Sequence, residues 1–253
     1  MVKALAHRLL RSFGLDVVRN VPPAPPSPPS GFDAEETAIM ERVRPFTMTS
    51  DERISAMVRA VRYAVAAGIP GDVIECGVWR GGSMMAAALT LIGLGVRDRA
   101  LYLFDTFEGM TEPTEADVDY AGAAAAPRFL SQRTGPNASA WCCASLEDAT
   151  ANLTSTRYPA DRLRFLKGRV EDTIPGEAPE RIAILRLDTD WYESTLHELR
   201  HLYPRLAVGG VLLVDDYGHW RGCRRATDEY LATLASPPLL CRVDYAAAVA
   251  VKR

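Results

Sequence analysis

The sequence has no long apolar run, no cysteine pairing pattern and little net charge. No apolar stretch approaches the roughly 20 residues that a membrane-spanning helix needs, which argues against an integral membrane protein. A formal net charge of -3 gives no general attraction to nucleic acid, so no nucleic-acid partner is expected. The cysteines are odd in number and form no C-x-x-C motif, which indicates reduced thiols and predicts a cytoplasmic protein. They are Cys76, Cys142, Cys143, Cys223 and Cys241.

The first part of the chain differs in composition from the rest. In residues 1–20, apolar residues from Val2 to Phe13 recur at helical spacing between basic residues, which predicts an amphipathic helix. This helix could pack on the domain or on a second subunit, or residues 1–13 could lie on an anionic membrane surface. Residues 21–31 are proline-rich and predict an extended linker. Residues 32–253 are long and apolar enough to bury one core, so they predict one domain.

Two apolar runs in the C-terminal half end in acidic residues. Ile182–Leu187 and Val211–Val214 flank a helical pattern, which predicts two parallel, buried strands of a β-α-β unit. Ligands of open α/β sheets bind beyond the carboxyl ends of the strands, so carboxylates placed there should converge. The residues in question are Asp188, Asp190, Asp215 and Asp216.

Such a carboxylate cluster suits a hard divalent cation. Asp oxygens favour Mg²⁺, Mn²⁺ or Ca²⁺, and no matching set of Cys or His residues points to zinc. The alternative interpretation is that Asp188 caps the following helix and that Asp215 and Asp216 merely form a turn.

Upstream, a strand, a glycine-rich turn and a helix follow one another. Asp72–Cys76 predicts the strand, Gly77–Ser83 the turn, and the alanine-rich run Met84–Leu94 the helix, an arrangement in which the backbone can approach a nucleotide-like ligand. Glu75 precedes the turn, and a carboxylate there suits a cationic group better than a phosphate. The pattern therefore favours S-adenosylmethionine over NAD.

Further elements complete this pattern. Asp105 ends the predicted strand Ala100–Phe104, where it could accept hydrogen bonds from ribose hydroxyls or simply cap a turn. A third strand, Leu163–Leu166, leads to the loop Gly168–Thr173, which is placed to meet an adenine ring. Residues 106–144 show no clear period and predict a lid or binding loop. Helices are predicted at Asp33–Val43 and, after the capping residues Thr49, Ser50 and Asp51, through Ala67.

Five motifs together resemble a known family. ECGVWRGGS, LFDTFEGM, KGRVEDTIP, LRLDTDWYEST and LYPRLxxGGxxxxDDYGxWxG are similar, in order and spacing, to the macrocin O-methyltransferase (TylF) family of metal-dependent sugar O-methyltransferases. The resemblance runs from about Arg44 to Leu231. It implies an α/β, Rossmann-like class I methyltransferase fold, in which a seven-stranded, mostly parallel sheet ends in a C-terminal antiparallel hairpin. Leu239–Val243 and Ala246–Lys252 are suitable strands for that hairpin.

The resemblance also implies roles for individual residues. It assigns Asp190 as the general base and implies a homo-oligomer that methylates a small hydroxylated acceptor, a glycoside. The residues assigned to the methionine moiety of S-adenosylmethionine are Glu75, Gly77, Gly81 and Ser83. Those assigned to its ribose and adenine are Asp105, Val170 and Glu171. The residues assigned to Mg²⁺ (or Mn²⁺) are Asp188, Asp215 and Asp216.

Three other functions fit parts of the sequence. The same chemistry could act on a catechol-like phenol, or the fold could be an inactive S-adenosylmethionine-binding module. The segment His197-Glu-Leu-Arg-His201 also matches H-E-x-x-H, the helical zinc-protease motif. However, Leu196, Leu199 and Leu202 mark the buried side of that helix, which would leave both histidines on a polar side, and no third ligand is signalled downstream.

Overall fold

The computed structural model describes residues 31–253. The predicted N-terminal helix and nearly all of the predicted proline-rich linker lie outside the described residues.

Within this range the chain alternates between strands and helices. The helices are α1 (Ala34–Val43), α2 (Asp51–Ala66), α3 (Gly82–Gly93), α4 (Ala126–Gln132), α5 (Leu146–Ser155), α6 (Val170–Thr173), α7 (Tyr192–Leu202) and α8 (Arg221–Ala232). The strands are β1 (Asp72–Cys76), β2 (Leu101–Asp105), β3 (Arg133–Gly135), β4 (Ala138–Ser139), β5 (Leu163–Lys167), β6 (Ile182–Leu187), β7 (Leu206–Val214), β8 (Cys241–Arg242) and β9 (Ala248–Val251). Short 3₁₀ turns lie at Arg44–Phe46, Ala160–Arg162 and Tyr203–Arg205.

Seven strands form one sheet in the order β5-β2-β1-β6-β7-β9-β8. The five strands from β5 to β7 are parallel, and β9 pairs antiparallel with both β7 and β8. The chain moves from β1 outward to β2, and later enters β6 on the other side of β1, so the strand order reverses between β1 and β6. The crevice at such a reversal is where open α/β sheets place their ligands. The predicted fold class is confirmed.

Local capping explains why the first helices begin where they do. Asp33 and Glu36 form a reciprocal capping box at the start of α1, and the Ser50 side chain accepts a hydrogen bond from the Arg53 amide at the start of α2. The cap of α2 was predicted from Ser50, whereas α1 was predicted to begin at Asp33 without its capping box being identified.

The segment predicted to be irregular contains regular structure. Residues 106–144 include helix α4 and the small β3–β4 hairpin, and Phe129 and Trp141 anchor the segment because both are buried. Both elements are too short for a helical or alternating period to stand out in the sequence. The interpretation of this segment as lacking a period therefore missed two regular elements, and its role as a lid or binding loop stays a prediction.

Other bounds also differ from the predictions. Strand β7 begins at Leu206 and not at Val211. The Gly209-Gly210 pair interrupts the apolar run, so the sequence did not indicate that the strand extends before it. The predicted loop Gly168–Thr173 contains the single-turn helix α6, and the C-terminal hairpin has shorter strands than predicted. Helix α8 was not predicted, because its buried face consists largely of small residues. No helix among residues 31–253 combines the length and apolarity that crossing a membrane requires.

Candidate active site

A cavity opens at the carboxyl ends of β1, β2, β6 and β7. Its lining brings together the predicted site residues Gly77, Ser83, Asp105, Val170, Glu171, Asp188, Asp190, Asp215 and Asp216. Glu75 and Gly81, which were also predicted, lie outside this lining.

The turn between β1 and α3 requires glycine at two positions, because the backbone there packs closely against its neighbours. Gly77 has a φ of +82°, and a Cβ on this residue would collide with the carbonyl oxygen of Asp188. Gly81 has a φ of +89°, and a Cβ there would collide with the side chain of Leu153. Both glycines therefore satisfy a left-handed backbone and a tight approach to a neighbour. The assignment of these glycines to the methionine moiety stays a prediction.

Replacing Gly77 with alanine should therefore lower the free energy of unfolding by at least about 3 kcal/mol, because a left-handed non-glycine residue costs about 1–3 kcal/mol even without a clash. Gly95→Ala is the matched control, since Gly95 has a φ of +73° but open space around its Cβ position. The free energy of unfolding of the control should fall by only about 1–2 kcal/mol. Urea denaturation of both variants measures the difference, and equal losses would contradict the steric role of Gly77.

Asp105 holds this turn in place. Its carboxylate accepts hydrogen bonds from the backbone amides of Val78 at 2.7 Å, Trp79 at 3.0 Å and Phe107 at 2.7 Å. Burial raises the pKa of Asp105, although these amide donors oppose the rise. The carboxylate thus acts as a cap, which was the alternative interpretation. It also lines the cavity, and its contact with a ribose stays a prediction.

Glu75 has a different environment from the one predicted. It is 1% exposed in strand β1, and Oε1 accepts a hydrogen bond from Nη1 of Arg186 at 2.5 Å. Its Oε2 has no hydrogen-bond partner among the described residues. Burial raises the pKa of Glu75 to about 7 against the opposing charge of Arg186. The cation beside Glu75 in this structure is thus a protein side chain, and its predicted contact with the cofactor stays a prediction.

The three predicted metal ligands converge. One carboxylate oxygen from each of Asp188, Asp215 and Asp216 lies within 4.8 Å of the other two. Asp215 and Asp216 are buried, whereas the Asp188 side chain retains 27% exposure at the cavity. Burial and the neighbouring carboxylates raise the pKa of Asp188 and of Asp216 well above the ordinary aspartate value. Crowded acids of this kind are stabilised by a positive charge.

The cluster fits a hard divalent cation on two grounds. Asp216 Oδ2 is buried and has no hydrogen-bond partner among the described residues, which leaves a lone-pair acceptor free to coordinate. The donors are all carboxylate oxygens, the type that Mg²⁺ and Mn²⁺ prefer. Asp188 does not cap helix α7, because Trp191 occupies the N-cap position. Asp216 does open a turn, but through its backbone carbonyl, which accepts from His219 and Trp220.

Two arginines beneath the cluster were not predicted. Arg186, 5% exposed in its side chain, pairs with Glu75, with Asp188 at 2.7 Å and with Asp215 at 2.6 Å. Arg53 pairs with the other oxygen of Asp215 at 2.5 Å. Each carboxylate oxygen has two lone pairs, so the Asp215 oxygens can accept these bonds and still coordinate a cation. The only sequence signal was a charged residue inside the apolar run Ile182–Leu187.

Asp190 lies beside the cluster in an unusual conformation. Its φ is +68°, in the left-handed region, and its side chain faces the Asp216 carboxylate and the Trp220 indole. Burial raises the pKa of Asp190 to about 7. Strained backbone is typical of functional positions, and an aspartate with this pKa is a better proton acceptor at neutral pH than an ordinary one.

The H-E-x-x-H motif does not form a zinc site. The rings of His197 and His201 lie side by side, with centroids 4.4 Å apart, and His197 Nε2 contacts the Ile174 carbonyl oxygen. Glu198 is fully buried and accepts a hydrogen bond from the Thr189 hydroxyl at 2.9 Å. Among residues 31–253 no Cys, Asp or Glu joins the two histidines in a metal-binding group. Glu198 instead supports the loop between Asp188 and Asp190.

Comparisons with known proteins agree with this geometry. The family model for macrocin-O-methyltransferase (TylF) matches residues 31–252. A demethyldecarbamoylnovobiocin O-methyltransferase from Streptomyces niveus is 34% identical over 78% of this chain and 72% of its own length. An 8-demethyl-8-(2,3-dimethoxy-alpha-L-rhamnosyl)-tetracenomycin-C 4'-O-methyltransferase from Streptomyces olivaceus is 38% identical over 73% of this chain and 67% of its own length.

A solved structure supports the same assignment. The structure of the O-methyltransferase NovP superposes with a TM-score of 0.72 and 31% identity, over 82% of each chain. The family match covers nearly all of the described residues, and both relatives carry the activity that the motifs predicted. The chain therefore belongs to the macrocin O-methyltransferase family and is an O-methyltransferase.

Proposed function

We propose that this protein transfers the methyl group of S-adenosylmethionine to a hydroxyl of a sugar ring in a glycosylated small molecule, with Mg²⁺ or Mn²⁺ held by Asp188, Asp215 and Asp216. The observation that carries the proposal is the convergence of these carboxylates beside the cavity that the glycine turn borders. The sugar acceptor is supported by the Streptomyces olivaceus relative, a 4'-O-methyltransferase of a rhamnosyl compound.

The cavity has suitable places for each part of the cofactor. S-adenosylmethionine supplies an electrophilic methyl group on a sulfonium centre. The turn from Gly77 to Ser83 borders the cavity on one side, where it would hold the methionine moiety. Asp105, at the end of β2, would bind the ribose, and Val170 and Glu171, which begin α6, would lie beside the adenine.

Methyl transfer is an in-line displacement, so holding the acceptor oxygen in line with the methyl group is the main requirement. A divalent cation at the three aspartates would lower the pKa of the acceptor hydroxyl. Asp190, whose side chain faces the Asp216 carboxylate, would accept the proton from that hydroxyl. Arg186, beneath the aspartates, holds Asp188 and Asp215 in position.

We also propose that residues 32–253 form the methyltransferase domain and that the protein is a cytoplasmic homo-oligomer. The family resemblance supports the assembly, and the cytoplasmic location is supported by the cysteines, all five of which are free thiols. Binding of residues 1–13 to anionic vesicles in a sedimentation assay would argue for a membrane-associated pool instead.

Chelation tests the function directly. Protein treated with EDTA should still bind S-adenosylmethionine in a calorimetric titration but should lose at least about 100-fold in methyl transfer, because the acceptor hydroxyl is then a poor nucleophile. Added Mg²⁺ or Mn²⁺ should restore the rate. Mass spectrometry of a panel of glycosides and catechols, each incubated with the cofactor, identifies the methylated product. Absence of cofactor binding in folded protein would refute the proposal, and methylation of catechols alone would change the acceptor class.

A further inference from the structure

Three aromatic rings cluster beside the active site, those of Tyr120 and Tyr245 exposed and that of His219 half-buried. Tyr120 and Tyr245 are 63% and 57% exposed, unusually high for large side chains in contact with each other. The ring centroids of Tyr120 and His219 are 5.7 Å apart, those of His219 and Tyr245 are 5.9 Å apart, and those of Tyr120 and Tyr245 are 6.4 Å apart. We call these three residues the aromatic platform.

Three separate loops build the platform at the carboxyl-terminal edge of the parallel strands. Tyr120 lies between β2 and α4, His219 follows β7, and Tyr245 lies between β8 and β9. These loops are fixed through their backbones. The His219 amide donates to the Asp216 carbonyl at 3.0 Å, and Arg221 Nη2 donates to the Tyr120 carbonyl at 3.1 Å. The loops that carry the rings are therefore held in place, while Tyr120 and Tyr245 remain exposed.

Charged contacts join the platform to the metal site. Arg53 lies against the Tyr245 ring, with its guanidinium carbon 5.7 Å from the ring centroid, and it pairs with Asp215. Arg53, Asp215 and Asp216 also line the cavity, whereas none of the platform residues does. The platform therefore lies directly outside the cavity lining. It is next to the aspartates, where the proposed function places the acceptor hydroxyl.

From this arrangement we propose that the aromatic platform is an acceptor subsite that binds a second ring of the substrate, the one attached to the sugar that is methylated. Aromatic faces bind the apolar face of a ring. The Tyr245 hydroxyl and His219 Nδ1 lie 3.3 Å apart and partner each other, so the Tyr120 hydroxyl and His219 Nε2 are the groups that can make hydrogen bonds at the edge of that ring. A second sugar and an aromatic aglycone both present such a face. The inference rests on the proposed function, because it requires the reacting sugar to lie at the aspartates.

The test compares three glycosides that differ only beyond the reacting ring. Methyl α-L-rhamnopyranoside has no second ring, p-nitrophenyl α-L-rhamnopyranoside has an aromatic one, and a rhamnosyl-glucose disaccharide has a sugar. Saturation-transfer NMR in the presence of Mg²⁺ and S-adenosylhomocysteine, the demethylated cofactor that cannot react, measures each dissociation constant and the contact with the second ring. A two-ring probe should bind about five- to tenfold more tightly than the methyl glycoside. Whichever two-ring probe shows the larger increase in affinity over the methyl glycoside identifies the kind of ring that the subsite prefers.

The variants Tyr120→Ala and Tyr245→Ala should each bring this affinity ratio close to one and weaken saturation of the second ring. Tyr63→Ala is the matched control, because Tyr63 is 40% exposed but lies on α2 near Gly209, away from the cavity. It should keep the wild-type ratio. Wild-type protein with no preference for either two-ring probe, or platform variants that keep the wild-type ratio, would overturn the proposal.

Two further measurements distinguish the subsite from a subunit interface and from a failure of the proposed function. A change in the oligomeric mass of Tyr245→Ala, measured by light scattering, would show that the platform is a subunit interface. That result would overturn the subsite proposal. Failure of the wild-type protein to bind S-adenosylmethionine in calorimetry would refute the proposed function and the subsite with it. Cofactor binding without a second-ring effect would refute the subsite alone.

Discussion

Replacing Asp190 with asparagine should lower the turnover number about 10²- to 10⁴-fold, the range expected when a general base is removed. Asparagine preserves the size of the side chain and tolerates the left-handed φ of +68° that this position requires. It cannot accept the proton of the acceptor hydroxyl. The affinity for S-adenosylmethionine should change little, because the proposed mechanism places Asp190 against the acceptor hydroxyl and not against the cofactor.

Steady-state kinetics and a calorimetric titration of the cofactor measure these two quantities in the same preparation. Glu193→Gln is the matched control, since Glu193 is an exposed acid in the first turn of α7 and does not line the cavity. The control should retain wild-type turnover. Unchanged turnover in Asp190→Asn would remove Asp190 from the role of base, whereas an equal loss of cofactor affinity would indicate damage to the site as a whole.

Replacing Arg186 with methionine should lower the free energy of unfolding by about 3–5 kcal/mol, as expected when one partner of a buried ion pair is removed. The guanidinium group is nearly inaccessible and contacts Glu75, Asp188 and Asp215. Without it, three carboxylates would face one another in a poorly solvated space. Methionine retains much of the side-chain volume, so the decrease in the free energy of unfolding is due chiefly to the missing charge.

Guanidinium chloride would screen charges, so urea denaturation is the better measurement. Arg225→Met is the control, because Arg225 forms an exposed pair with Glu229 four residues along α8. Such a pair contributes at most about 1 kcal/mol. A loss below about 1 kcal/mol in Arg186→Met would show that the buried carboxylates are neutralised in another way.

Much of the fold could be predicted because its signals are local. The apolar run Ile182–Leu187 predicted β6 residue for residue, and Ser50 predicted the start of α2 from its capping side chain. The residues at the carboxyl ends of the strands were also predictable, since parallel strands bring consecutive strand ends to one edge of a sheet. Asp188, Asp215 and Asp216 converge for that reason.

The roles of Glu75 and Gly77 could not be predicted in the same way. A glutamate before a glycine turn suggests a ligand contact, but the residue that reaches it is Arg186, 111 positions further along the chain. Gly77 suggests room for a cofactor, but the group that excludes a side chain there is the carbonyl of Asp188. In both cases the neighbour comes from β6 or directly after it, so the contact depends on which strands are adjacent.

The sequence by itself determined the fold class, most strands of the main sheet and the position of the acidic residues at the strand ends, because hydrophobic period, capping and motif spacing act over short stretches of chain. Only the tertiary structure decided which charges are paired, which face of α7 holds Glu198, and that Tyr120, His219 and Tyr245 meet beside the cavity. Those contacts join residues that are distant in sequence, and their energies depend on burial and orientation, which exist only once the sheet has assembled.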